Sequence, residues 1–174
     1  MPKVILIGLP GAGKSTVARA LSKITGLTVS DTDQAIELRA GKKISEIFSK
    51  DGESAFRSLE SQVVQEELIR EPGVLALGGG SILDPANQKA ISQSGAAVVY
   101  LEISDSQASA RVGKNSDRPL LVGDPRGKLA NLSKVRSPIY QSLASITVKT
   151  DSKKPSEVAH EIAMLMGLEI LSHG

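Results

Sequence analysis

Short apolar runs alternate with amphipathic stretches along all 174 residues. Val4, Ile5, Leu6 and Ile7 make a β-branched run that ends in glycine, the composition of a strand buried on both faces of a parallel sheet. Residues 14–25 follow with Val17, Leu21 and Ile24 at helical spacing, and Gly26 supplies the stop. A weaker strand is predicted at 27–30, a short helix at 34–40 closed by Gly41, and another at 44–50. The longest helical pattern, 53–71, carries Phe56, Leu59, Val63, Leu68 and Ile69 near one face and ends at Pro72-Gly73. A third strand, 74–77, runs into Gly78-Gly79-Gly80.

Asp84 is an N-cap followed by Pro85 at the first helical position, so a helix is predicted to run to Ser94. A fourth strand at 96–101, a short helix at 105–112, a fifth strand at 146–149 and a last helix at 155–168 complete the alternation. Residues 113–127 are rich in Gly, Pro, Asp and Arg and read as an exposed loop or lid. Residues 128–143 read as a helix that Pro138 should kink or break. Strands alternating with helices imply one three-layer αβα domain over residues 1–174, built on a five-stranded parallel sheet.

Composition narrows the chemistry more than the fold. With no cysteine, disulfides, thiolate nucleophiles and Cys-ligated zinc are all excluded. The two histidines, His160 and His173, lie near the C-terminus and make histidine metal clusters and Ser-His-Asp catalysis remote. Phe48, Phe56, Tyr100 and Tyr140 are the only aromatics, too few for a base-stacking platform. Lys and Arg number 21 against 19 acids, a net charge of +2, so no polyanion-binding surface is indicated and no nucleic-acid partner is expected. The first apolar run is far below the roughly 18 residues a membrane span needs, and a soluble cytoplasmic protein is expected. What remains is chemistry by carboxylates, Lys, Arg, hydroxyls and backbone amides.

Gly8-Leu9-Pro10-Gly11-Ala12-Gly13-Lys14-Ser15 satisfies the P-loop pattern, and it follows an apolar strand and opens a helix as the mechanism requires. The glycines let amides turn inward around phosphate oxygens, and the helix N-terminus adds its positive end. Lys14 is placed to reach the β- and γ-phosphates and the Ser15 hydroxyl to hold Mg²⁺. No Asn-Lys-x-Asp follows a later strand and no strand ends in Asp-Glu, which sets GTPases and motor ATPases aside. Asp124-Pro125-Arg126-Gly127 does match Asp-x-x-Gly, but it falls in the predicted loop rather than after a strand.

Asp31-Thr32-Asp33 ends the second predicted strand. In an extended chain residues two apart share a face, so both carboxylates can project from the sheet edge where ligands bind. One acid suits Mg²⁺ through water, and the other a hydroxyl proton. Asp is equally a good N-cap for the helix that follows, and Arg57 reads as well as a solvated helix arginine. Gly78-Gly79-Gly80 is either a flexible turn or a place where a ligand meets backbone closely. Arg118 in the loop is placed to close on a transferring phosphoryl group, and Arg136 stands two residues before Pro138, where a kink would aim it inward.

Taken together, the chain resembles the shikimate kinases over residues 3–167. The matching pieces are the P-loop extended through Thr16, Asp31-Thr32-Asp33, the stretch from Asp51 to Arg57, Leu77 to Gly80, Arg118 to Leu121, and Arg136 to Tyr140. The resemblance implies a nucleoside-monophosphate-kinase-like fold with strand order 2-3-1-4-5, a substrate-binding region near 32–60 and a lid near 113–127. It implies phosphorylation of the 3-hydroxyl of shikimate by ATP with Mg²⁺, on the route to aromatic amino acids, by a monomer. By the same resemblance Asp33 is the acid that meets the substrate hydroxyls, and Arg57 and Arg136 grip the carboxylate. Gly79 and Gly80 give backbone contacts, Arg118 is the lid arginine and Asp31 the water-mediated Mg²⁺ partner. The P-loop residues Gly11, Ala12, Gly13, Lys14, Ser15 and Thr16 take the phosphates, and Arg111, Lys153 and Pro155 flank the adenine. The family often has arginine where Lys153 or Lys154 stands. Two rival readings remain at this stage, a gluconate-type sugar-acid kinase and a nucleotide-binding module without catalysis.

Overall fold

The computed structural model describes residues 3–70, 73–112 and 119–172. Among them β1 (Val4–Ile7) is buried throughout and lies at the centre of a parallel sheet of order β2-β3-β1-β4-β5. β2 is Val29–Asp31, β3 Val74–Ala76, β4 Ala97–Glu102 and β5 Ile146–Lys149. Val4 pairs with Val74 on one side and Ala97 on the other, so the three inner strands start level and β4 runs on past the ends of β1 and β3.

Right-handed crossovers dictate the layers. From β1 the chain steps outward to β2 through α1 (Lys14–Thr25), and α8 (Pro155–Met166) packs against α1 on that face. The later crossovers step the other way, through α4 (Glu53–Arg70), α5 (Pro85–Gln93) and α7 (Pro125–Leu143), which pack in series on the opposite face. Helices α2 (Thr32–Ala40), α3 (Ile44–Lys50) and α6 (Asp105–Val112) complete the described helices. The main core joins the sheet to α1, α8 and the apolar side of α7. A second, separate apolar cluster of Ile36, Ile47, Phe56 and Val63 holds α2, α3 and α4 together. That cluster occupies the region expected to bind substrate.

Three sequence expectations change. The second strand sits at Val29–Asp31 rather than 27–30, and the chain turns into α2 immediately at Thr32. Asp31 and Asp33 therefore do not share the face of an extended strand; Asp31 ends the strand and Asp33 lies in the first turn of the helix. The loop read across 113–127 is shorter: Pro119–Leu121 is a 3-10 turn, and α7 begins at Pro125, not 128. The Asp124 carboxylate accepts from the Gly127 amide at 3.1 Å and Pro125 is the first helical residue, which explains the earlier start. Finally, α7 continues through Pro138. Proline forfeits one backbone bond there, but Leu129 on one side and Tyr140 on the other are buried in the core, and that packing outweighs the loss.

Candidate active site

Four segments converge at the C-terminal edge of the sheet. β1 ends in the P-loop, where Gly13 caps α1 with φ of 85°, a conformation that only glycine adopts readily. The Lys14 ammonium crosses the loop and donates to the carbonyls of Gly8 at 2.8 Å and Leu9 at 2.9 Å. Beside it the Ser15 hydroxyl donates to Asp31 Oδ2. The other oxygen of Asp31 accepts from the amides of Asp33 at 2.9 Å and Gln34 at 3.2 Å. The two alternatives for Asp31 thus coincide, since one oxygen caps α2 while the other faces the P-loop serine.

β3 delivers the three glycines, and each meets a different functional side chain. A methyl group on Gly78 would lie 2.7 Å from Asp33 Oδ1 and 3.0 Å from Glu60 Oε2. On Gly79 it would lie 3.1 Å from Pro10 Cδ of the P-loop and 3.4 Å from Arg136 Nη1. On Gly80 it would come within 2.7 Å of Arg57 Nη2. The strip is therefore the shared floor on which the acid, the phosphate loop and both arginines rest. Gly80→Ala pushes the Arg57 guanidinium aside, and we expect the affinity for an anion held by that guanidinium to fall about tenfold, the size of one charged hydrogen bond. Calorimetric titration checks it.

Arg57 does not stand in solvent. Its guanidinium pairs with Glu60 at 2.7 Å and Glu53 at 3.5 Å, and lies 5.2 Å from the Phe56 ring centre. Glu60 is 2% exposed and was not among the candidate residues. Its signal was legible: the buried positions of α4 include Phe56, Glu60, Val63, Val64 and Glu67, so two acids lie on the apolar stripe. A buried acid is held there by a partner, and Arg57 is one turn away.

Arg136 is 3% exposed, and its Nε is buried without a hydrogen-bond partner. A buried guanidinium with an unused donor is suited to an anion that completes its bonding. Tyr140, one turn further along α7, gives its hydroxyl to the Gly79 carbonyl at 2.5 Å and stacks on Tyr100 with ring centres 5.2 Å apart. Burial pushes the Tyr140 phenol well above its ordinary value, with the Arg136 charge opposing, so it stays a donor at physiological pH.

These side chains enclose adjoining cavities. The first, about 250 Å³, brings together Asp33, Arg57, Gly79, Gly80 and Arg136, with an apolar wall that includes Ile44, Phe48 and Phe56. The second, about 360 Å³, is lined by Gly11, Gly13, Lys14, Ser15, Thr16 and Arg111. Ser15, Asp31, Asp33 and Gly79 line both. A third, about 210 Å³, places Ala12, Arg111, Lys153 and Pro155 together. Arg111 links it to the P-loop, donating to the carbonyls of Gly11 and Thr150 at 3.3 Å each. Lys153 is already paired with Glu161 at 2.6 Å. Arg118 and its neighbours 113–117 lie outside the described residues. Among the described residues, no group of three or more His, Cys, Asp or Glu side chains is gathered as a metal cage, and no helix is long and apolar enough to cross a membrane.

The family model described as shikimate kinase matches residues 10–166. The shikimate kinase of Thermobifida fusca (strain YX) is 52% identical over 162 residues, which are 93% of each chain. Among solved structures, a shikimate kinase from Acinetobacter baumannii in complex with shikimate superposes with a TM-score of 0.91 at 37% identity, covering 95% of this chain and 93% of that one. A gluconokinase from Sinorhizobium meliloti 1021 gives 0.63 at 16% identity over 95% of this chain and 91% of its own, a likeness of fold alone. With the family model spanning most of its length and its relatives aligned nearly end to end, this chain belongs to the shikimate kinase family.

Proposed function

We propose that this protein transfers the γ-phosphoryl group of ATP to the 3-hydroxyl of shikimate, giving shikimate 3-phosphate and ADP. The observation that carries the reading is the junction of the two cavities at Ser15, Asp31, Asp33 and Gly79, where a phosphate held by the loop and a hydroxyl held by Asp33 would meet. The carboxylate of the substrate lies against Arg57 and Arg136, and the ring against the Phe48 and Phe56 wall. Asp33 accepts or orients the proton of the attacking hydroxyl as the new oxygen–phosphorus bond forms and the bond to ADP breaks. Lys14 shifts from its loop carbonyls to the phosphates, and Arg111 and Pro155 border the adenine.

The Ser15 hydroxyl, and through water the Asp31 carboxylate it touches beside the phosphate loop, are hard oxygen groups that would hold Mg²⁺. Bound there, Mg²⁺ supplies charge neutralisation to the phosphates. Because phosphoryl transfer asks for positioning and charge rather than covalent help, a chain without cysteine and with no histidine in these cavities can carry it out. A cytoplasmic monomer fits the reading. The test is ADP release with MgATP and purified protein: shikimate supports turnover and gluconate does not. Turnover with gluconate alone, or ATP binding without any phosphorylated product, overturns it.

A further inference from the structure

The glycine strip is tied from two sides by buried side chains. Thr32, the first residue of α2, is fully buried, and its hydroxyl oxygen accepts from the Gly78 amide at 2.9 Å. Tyr140 of α7, 1% exposed, donates to the Gly79 carbonyl at 2.5 Å from the other side. Neither residue lines the cavities described above. Each is nevertheless attached to a residue that does. Thr32 precedes Asp33 directly, and Tyr140 follows Arg136 by one helical turn. The peptide units of Gly78 and Gly79 therefore form a rigid link from the start of α2 to the middle of α7, by two hydrogen bonds across 46 and 61 residues of sequence.

We infer that Thr32 and Tyr140 are positioning residues which clamp the Gly78–Gly79 backbone and thereby set the separation between the Asp33 carboxylate and the Arg136 guanidinium. That separation must match the distance between the substrate's acceptor hydroxyl and its carboxylate. The stack of Tyr140 on Tyr100 anchors one jaw to β4, an inner strand of the sheet. The other jaw is anchored by Asp31, which caps α2 and touches the P-loop serine. A small change in the strip displaces the hydroxyl from in-line attack, because reacting atoms must be held close and aligned. The phosphate loop has in addition its own internal bonds, from the Lys14 ammonium to the carbonyls of Gly8 and Leu9.

The inference rests on the shikimate kinase reading, and the test separates the two. Thr32→Val keeps the shape and removes the acceptor, Thr32→Ser restores it, and Tyr140→Phe keeps the ring stack and removes the donor. Each of Thr32→Val and Tyr140→Phe is expected to lower kcat/KM for shikimate by about 5- to 30-fold, the size of one lost hydrogen bond that leaves a buried group unsatisfied. The KM for ATP stays within about twofold, and Thr32→Ser recovers most of the loss. A role confined to stability predicts instead a lowered melting temperature with unchanged kinetics, or an equal change in both substrates; either result overturns the inference. If Thr32→Val does not fold, Tyr140→Phe decides the question alone. Wild-type protein assayed beside the variants keeps the outcomes apart: no wild-type turnover of shikimate refutes the activity, whereas an active wild type with unaltered variants refutes only the clamp.

Discussion

Asp33→Asn is expected to lower kcat by about 10²- to 10⁴-fold, the range that a positioned general base contributes, while ATP binding holds. The residue lines both the cavity of the arginines and that of the P-loop, so it alone of the acids near the strip can meet a hydroxyl on one side and the phosphates on the other without serving as a cap. Asparagine keeps the size of the side chain but loses the charge and one accepting oxygen. The neighbouring Asp31 cannot substitute, because one of its oxygens is committed to the amides of Asp33 and Gln34 and the other to Ser15. Steady-state kinetics with shikimate and calorimetric titration with ATP separate the two effects. A kcat within about threefold of wild type contradicts the role.

Removing Arg136 produces the second large effect. Arg136→Ala is expected to reduce kcat/KM for shikimate by about 100-fold or more, since hydrogen bonds to charged groups are worth roughly 1.5–3 kcal/mol each and the guanidinium offers a fork of two. Arg136→Lys keeps the charge without the fork and falls between. The melting temperature of the free protein should hold or rise, because Arg136 is a buried charge with its Nε unpaired, and such groups cost stability until a ligand completes them. Saturating shikimate should raise the melting temperature of the wild type and not of the alanine variant. An alanine variant with unchanged KM for shikimate contradicts the carboxylate clamp.

The chain made its architecture legible wherever a local rule governs it. β1 and the P-loop are read from Val4 to Ser15 because both the strand and the glycine loop are written in contiguous residues. The end of α1 at Gly26 and the start of α5 at Asp84-Pro85 follow from capping chemistry and stand where expected. The same Asp-Pro signal at Asp124-Pro125 was overlooked, because the surrounding Gly, Pro and Arg suggested a loop, and α7 begins there. β2 was displaced because an edge strand of three half-exposed residues leaves almost no apolar pattern. Pro138 does not break α7, since tertiary packing overrides a local breaker.

For the site, residues that carry charge toward a ligand could be named from motifs, and the structure brings Asp33, Arg57, Gly79, Gly80 and Arg136 to one cavity. The residues that hold them were hidden. Thr32 is a buried threonine between two acids, and its partner lies 46 residues away. Tyr140 closes the matched stretch that begins at Arg136, but its bond to a carbonyl 61 residues away is not written in that stretch. Glu60 left a trace, as an acid on an apolar helical stripe. Long-range pairing is the part of a site that a sequence does not display.

The central claim is that the two cavities meet to phosphorylate the 3-hydroxyl of shikimate. The most direct measurement is phosphorus NMR of the reaction of purified protein with MgATP and shikimate, with the site of attachment read from coupling to the ring protons. One new phosphomonoester coupled to the proton at carbon 3, formed in step with ADP, is the predicted result. Inorganic phosphate as the only product, or a phosphoryl group on another hydroxyl, contradicts the account.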